Sequence, residues 1–218
     1  MKFKNIIFDF DGVLIDSRPG VVEAFQKMME ELSSKKIENQ EIVNLIGKPL
    51  AEIVGLILKT DSKEIIFKGS ESFKKNYQNN CLFNNFVYPG IKEMLERLKN
   101  EPYRLFVVSN KIELFIKKIL NQHKIENYFI AARGTDGSDA KSRKQDYLKK
   151  LIDDYNLKKE ESVIIGDTIS DIAAGKENNI YCIGVTWGYG SEESLIKADA
   201  DVVCCNPNKI LKIIKNND

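Results

Sequence analysis

Apolar residues recur along the chain in two rhythms. Short continuous runs comprise Ile6-Ile7-Phe8, Leu105-Phe106-Val107-Val108, Phe129-Ile130-Ala131-Ala132, Val163-Ile164-Ile165, Tyr181-Cys182-Ile183-Gly184-Val185 and Asp201-Val202-Val203-Cys204. They are rich in β-branched and aromatic residues and often end in a polar residue or glycine, which predicts buried strands. Between them apolar side chains fall at three- and four-residue spacing: Ile91/Met94/Leu95/Leu98 after Pro89-Gly90, then Leu114/Ile116/Ile119/Leu120 and Leu148/Leu151/Ile152/Tyr155. A helix turns once in about 3.6 residues, so this spacing lays one apolar stripe along each segment. Strands and helices alternating at this length predict an α/β fold, a parallel sheet covered by helices on both faces.

One interval breaks the alternation. Nearly a hundred residues separate the first strand from the second, far more than a single crossover helix needs. Within it Val21/Phe25/Met28/Leu32, Ile42/Val43/Ile46, Ile53/Leu56/Ile57 and Ile65/Phe67/Phe73 read as helical, with Gly47-Lys48-Pro49 as a break. A small helical domain over residues 18–86, inserted into a core domain of residues 1–17 and 87–218, is the organisation this predicts. Asp16-Ser17-Arg18 and the stretch from Asn84 to Pro89 would join the two.

Composition narrows the class. The 218 residues are 43% hydrophobic and 30% charged with only 5 Pro, the balance of a folded globular chain. A net charge of +1 supplies no field that would draw in nucleic acid or an anionic membrane. No apolar run approaches the length of a membrane span, and the start meets an acid, Asp9, too early for a signal peptide. Cys81, Cys182, Cys204 and Cys205 form no CxxC pair, which points to free thiols and, with the absence of targeting signals, to a cytoplasmic protein. The sole histidine, His123, follows the run Ile112 to Gln122 and reads as a surface or helix-end residue. Its isolation disfavours Ser-His or Cys-His chemistry, so carboxylates, lysines or a metal must carry any reaction.

Open α/β sheets bind ligands at the carboxyl ends of their strands, and three strand ends here carry suitable groups. The first runs into Asp9-Phe10-Asp11-Gly12. In extended geometry residues i and i+2 point the same way, so two carboxylates can face one pocket, share a divalent cation, and divide attack and proton transfer between them. The second ends in Ser109-Asn110-Lys111, a hydroxyl and an amide before a helix, where an anion could be held. A later one ends in Gly166-Asp167-Thr168-Ile169-Ser170-Asp171, two acids four residues apart around a turn. Each taken singly also reads as an ordinary turn or helix cap.

Taken together, and in this order, the three strand ends resemble the motifs of the haloacid dehalogenase superfamily of phosphohydrolases: Asp-x-Asp-Gly at Asp9 to Gly12, a Ser or Thr after an apolar strand at Ser109, and Gly-Asp-x-x-x-Asp at Gly166 to Asp171. The helical insertion is similar to that superfamily's cap. The likeness covers nearly the whole chain and implies its Rossmann-like three-layer sandwich. The superfamily's lysine falls on Lys144, at the start of the helix Asp146 to Leu151, with Lys141 as the alternative; neither carries the common following proline. Gly184-Val185-Thr186-Trp187-Gly188-Tyr189-Gly190, with Asp16-Ser17 and Ser109-Asn110-Lys111, resembles the phosphoglycolate phosphatase-like branch. The glycine-rich part of that run reads equally as a pocket edge or as a loop of no chemical role.

The resemblance implies a Mg²⁺-dependent phosphatase acting on a small-molecule phosphate ester. Asp9 would be the nucleophile forming an aspartyl-phosphate, and Asp11 the acid and then the base. Asp9, Asp11 (through its backbone carbonyl) and Asp167 would hold Mg²⁺. Ser109, Asn110 and Lys144 would hold the phosphoryl oxygens, and Asp171 would orient Lys144 or a metal-bound water. The cap would close over the site and select the leaving group, and Lys48, Lys59, Lys63 and Lys68 are its candidate anion contacts. A dehalogenase would not need Asp11 or Asp167. A β-phosphoglucomutase-like phosphotransferase would share every motif, and a non-catalytic binding protein could keep the fold. Oligomeric state is not legible.

Overall fold

The computed structural model describes residues 3–32, 36–46, 48–136 and 143–216. In chain order the elements are β1 (Asn5–Phe8), β2 (Ile15–Asp16), α1 (Arg18–Leu32), α2 (Asn39–Val43), α3 (Leu50–Leu58), α4 (Lys63–Asn76), β3 (Phe86–Val87), α5 (Ile91–Lys99) and β4 (Arg104–Ile112). They continue with α6 (Glu113–Gln122), β5 (Ala131–Thr135), α7 (Lys144–Tyr155), β6 (Ser162–Gly166), α8 (Ile169–Glu177), β7 (Tyr181–Val185), α9 (Glu192–Lys197), β8 (Val202–Cys204) and α10 (Ile210–Asn216). The chain divides into two compact units, residues 1–16 with 87–218, and residues 17–86.

The first unit is the expected α/β architecture. Its six strands run in the order β5-β4-β1-β6-β7-β8, every pair parallel. Every residue of β1 and of β6 is buried, which is why these strands read as unbroken apolar runs and not as alternation. Helices cover the sheet with Ile91, Met94, Leu95 and Leu98 on α5 and Leu148, Leu151 and Ile152 on α7, as their spacing announces; on α6 Ile116, Ile119 and Leu120 are buried as expected, but Phe115 packs inward and Leu114 is exposed. Burial of each such side chain stabilises the fold by about 1.5–3 kcal/mol before entropy is counted. From β1 the chain steps outward through β4 to β5, then returns to the other side of β1 with β6 and steps outward again. The order therefore reverses between β1 and β6, the place where open sheets of this kind bind ligands at the carboxyl ends of their strands.

Two strands differ from expectation. β4 does not stop at Val108 but continues through Ser109-Asn110-Lys111 to Ile112. β5 begins at Ala131 and not at Phe129, runs on through Arg133-Gly134-Thr135 and pairs Thr135 with Ile112 after a register shift. The two extensions support each other: backbone pairing continues where the side chains turn polar, so hydrophobicity alone marks the end too early. Gly134 is required there, since a Cβ would lie 2.2 Å from the Lys111 carbonyl.

The second unit is helical. Phe25, Met28, Met29, Ile42, Ile53, Val54 and Ile57 form its core, and Phe25 meets Phe73 with ring centroids 4.2 Å apart. α4 buries a different face from the one its bulkiest residues suggest. Ile65 and Phe67 are exposed, while Ile66 and Phe73 pack on the core and Gly69 lies against Val54, where a Cβ would be 2.5 Å from its side chain. α2 stops at Val43, and Gly47, expected to break the helix, lies outside the described residues.

Candidate active site

Three loops at the carboxyl ends of β1, β6 and β7 build a buried cluster of carboxylates. Asp9 follows β1 directly, and its N–H continues the ladder by donating to the Ile165 carbonyl (2.8 Å). The chain then turns tightly: the N–H groups of Leu14 and Ile15 both donate to the Phe10 carbonyl (3.0 Å each). Gly12 sits at φ +87°, a conformation side chains with a Cβ rarely adopt, and a Cβ there would lie 2.1 Å from the Asp167 carboxylate. The glycine of Asp-x-Asp-Gly is thus required both by the turn and by the approach of Asp167.

Beyond β6, Thr168 caps α8. Asp171 Oδ2 accepts from the N–H groups of Asp167 (3.1 Å) and Thr168 (2.8 Å) and from the Thr168 hydroxyl (2.7 Å). Its other oxygen pairs with the Lys144 ammonium. Asp171 thereby fixes the helix start and aims Lys144 at once. Lys144, the first residue of α7, is 5% exposed at its side chain, and its Nζ lies 2.6 Å from Asp9 Oδ1.

Asp167 is cradled by the loop after β7. The Tyr189 N–H donates to its Oδ2 (2.7 Å), and a Cβ on Gly188 would lie 2.3 Å from that same oxygen. The Trp187 indole N–H donates to the Val13 carbonyl (3.0 Å), tying this loop to the one after β1. The glycines of Trp187 to Gly190 therefore let backbone approach a carboxylate, and a sequence search for side-chain chemistry passes over them. Asp167 Oδ1 is buried with no hydrogen-bond partner among the described residues.

The electrostatics follow. Asp9, Asp167 and Asp171 offer carboxylate oxygens within 4.8 Å of one another, with one lysine among them. Burial, and then the Asp171 charge, push Asp9 well above the usual carboxylate range despite Lys144. Burial and Asp171 raise Asp167 to about 7, against the opposing pull of the Tyr189 N–H. Burial acts to lower the Lys144 amine, but Asp171 and Asp9 outweigh it and hold it above the ordinary lysine value. Among the described residues, three buried carboxylates against the Lys144 ammonium, with one unpartnered oxygen, fit a divalent cation bound by hard oxygen ligands. With both oxygens of Asp171 engaged, Asp9 and Asp167 are the carboxylates fit to hold it.

The remaining sequence-derived residues fall as follows. Ser109 is buried and its Oγ accepts from the Lys111 N–H (3.2 Å). Asn110 is exposed where β4 continues through it, so its amide is not buried with Ser109. Lys111 Nζ instead reaches both oxygens of Asp11, at 3.0 and 3.1 Å; its position two residues after Ser109 on an extended strand is the signal that could have singled it out. Lys141 lies outside the described residues. His123 closes α6, where burial and Lys92 lower its pKa.

A doubly wound α/β protein with an acid cluster at its switch point is the class these features define. The family model described as haloacid dehalogenase-like hydrolase matches residues 6–185, and the chain belongs to that family. It is 31% identical to a phosphoglycolate phosphatase of Aquifex aeolicus over 97% of each chain. It is 25% identical to a 5′-nucleotidase of Pseudomonas aeruginosa over 100% of this chain and 98% of that one. A crystal structure from Clostridium acetobutylicum, described as a predicted phosphatase, matches with a TM-score of 0.90 at 28% identity, covering 99% of this chain and 100% of that one.

Proposed function

We propose that the protein is a Mg²⁺-dependent phosphatase that hydrolyses a small phosphate monoester through an aspartyl-phosphate on Asp9. The observation that carries this reading is the Asp9 carboxylate at the carboxyl end of β1, buried, held by Lys144 at 2.6 Å, and beside an Asp167 oxygen that has no partner among the described residues. Family membership and relatives named phosphoglycolate phosphatase and 5′-nucleotidase, matched over nearly their whole lengths, support it. Those names also favour, as the substrate class, a small molecule carrying a phosphate ester.

Asp9 and Asp167 would hold Mg²⁺, joined by the Asp11 backbone carbonyl. When bound, the ion neutralises charge on the phosphoryl oxygens and so lets an anionic nucleophile approach an anionic ester. Lys144 fixes the Asp9 carboxylate for in-line attack on phosphorus, and Asp171 holds Lys144 in place. The bond from the Asp9 oxygen to phosphorus forms as the bond to the leaving alcohol oxygen breaks, and Asp11 gives that oxygen its proton. Asp11, now a carboxylate, takes a proton from water, which attacks the phosphorus, frees inorganic phosphate and restores Asp9. The Ser109 hydroxyl donates to a phosphoryl oxygen throughout.

Phosphate release from 2-phosphoglycolate, sugar phosphates, nucleotides and pyrophosphate, with and without Mg²⁺, tests this reading. The expected result is release that requires Mg²⁺, stops with chelator and is lost in Asp9→Asn. Isomerisation of a phosphosugar without release would assign the protein to the mutases, and inactivity throughout would overturn the reading.

A further inference from the structure

The pairing of Lys111 with Asp11 is not used by the chemistry above. Lys144 is divided between Asp9 and Asp171, so its charge is largely spent before any substrate arrives. A phosphate monoester dianion brings further negative charge to loops that already carry Asp9, Asp11, Asp167 and Asp171. Lys111 is the second ammonium that β4 and the loop after β1 bring to these acids. Its side chain is 9% exposed, against 23% for its partner Asp11.

β4 sets Lys111 beside Ser109. Exposure along the strand runs buried at Ser109, exposed at Asn110 and partly buried at Lys111, the alternation expected of extended chain. The register with β5 shifts between Val108 and Ile112, an irregularity of the kind that re-aims side chains next to sites. The Lys111 N–H donates to Ser109 Oγ (3.2 Å); this uses a lone pair of the hydroxyl and leaves its hydrogen to be donated elsewhere. A hydroxyl donor and an ammonium thus stand two residues apart on one strand.

We propose that Lys111 is a binding residue for the substrate's phosphoryl group, drawn from Asp11 to a phosphate oxygen when a phosphate monoester enters, so that Ser109 and Lys111 together form the anion-holding pair of β4. This rests on the phosphatase reading. A phosphate dianion carries more charge than the single carboxylate it displaces, and a lysine ammonium, a point charge on a flexible stem, can turn from one to the other. The same movement frees the Asp11 side chain from its ion pair, so that in its protonated form it can give its proton to the leaving-group oxygen and afterwards, as the carboxylate, take one from water.

Calorimetric binding of inorganic phosphate with Mg²⁺ present, together with KM and kcat for the best ester, tests the assignment on wild type, Lys111→Met and Lys111→Arg. Loss of one charge-assisted contact predicts that Lys111→Met weakens phosphate binding and raises KM by about tenfold or more. Lys111→Arg recovers most of both. A merely structural ion pair would change thermal stability and leave phosphate affinity alone, so unchanged affinity in folded Lys111→Met overturns the proposal. Should that variant not fold, wild type carrying carbon-13 at the lysine ε positions provides the reading. The resonance missing from Lys111→Arg is that of Lys111; it is expected to shift as phosphate is added, and a resonance that stays in place overturns the proposal. If wild type hydrolyses esters and either test fails, the Lys111 assignment alone falls. If wild type neither hydrolyses esters nor binds phosphate, the phosphatase reading falls and this proposal with it.

Discussion

Gly188 shows how much of the site is backbone. A methyl group there would meet Asp167 Oδ2 and the Gly12 carbonyl, each 2.3 Å from the added carbon, so one of the two loops must move. Gly188→Ala is expected to cost about 1–3 kcal/mol of stability, the range for overpacking a tight site, and to weaken Mg²⁺ binding measured by calorimetry. The carboxylates give a second prediction. Asp167 is raised from 3.8 to about 7 in the fold, chiefly by burial, and Asp9 is raised as well. The folded state therefore holds protons that the unfolded state has released, and stability without metal falls as pH rises from the unfolded value toward the folded one. Thermal melts of chelated protein should show a decreasing midpoint from about pH 5 to about pH 7.5, a smaller decrease in Asp167→Asn, and recovery on adding Mg²⁺. A midpoint that rises over this window would contradict the assignment. Asp9, Asp11, Ser109, Asp167 and Asp171 were visible in the sequence because motif and strand end coincide. Lys111 and the cradle of Gly188 and Tyr189 were hidden, one by an ion pair across 100 residues, the other because it acts through main-chain N–H.

Among the elements, those with a continuous apolar run or a clean helical stripe were legible, and those whose polar residues belong to the sheet were not. β1, β6, β7 and α5 fall where their patterns put them. The extension of β4 to Ile112 is concealed because Ser109-Asn110-Lys111 has the composition of a turn while its backbone still pairs. α4 shows the opposite error: Ile65 and Phe67 attract attention by size, yet the face that packs includes Gly69 and Ser70. The N-terminus of α8 supplies the prediction at this scale. Thr168 caps the helix and its hydroxyl donates to Asp171, so Thr168→Ala should cost about 1 kcal/mol of stability, the usual cost of a lost cap. It should also lower kcat more than it raises KM, since Asp171 would aim Lys144 less well. Chemical denaturation and steady-state kinetics on one preparation check both.

Across the whole chain, the alternation of strand and helix made the α/β class legible, and the long interval after β1 raised the expectation of an insertion because no single crossover needs so many residues. The strand order was not legible, since pairing depends on contacts distant in sequence. Burial also decides the chemistry of the cysteines. Cys81, Cys182 and Cys204 are buried and Cys205 is exposed, and burial pushes the Cys182 thiol up to about 12. Iodoacetamide should label Cys205 in the native protein and all four thiols after unfolding, a difference mass spectrometry reads directly. The central claim, that Asp9 carries the phosphoryl group between ester and water, is tested most directly by acid-quenching the enzyme during turnover with Mg²⁺ and its best ester, then analysing the peptides by mass. The prediction is one phosphoryl group on the peptide containing Asp9, absent in Asp9→Asn and absent without Mg²⁺. Steady phosphate release with that peptide unmodified, or release undiminished in Asp9→Asn, would contradict it.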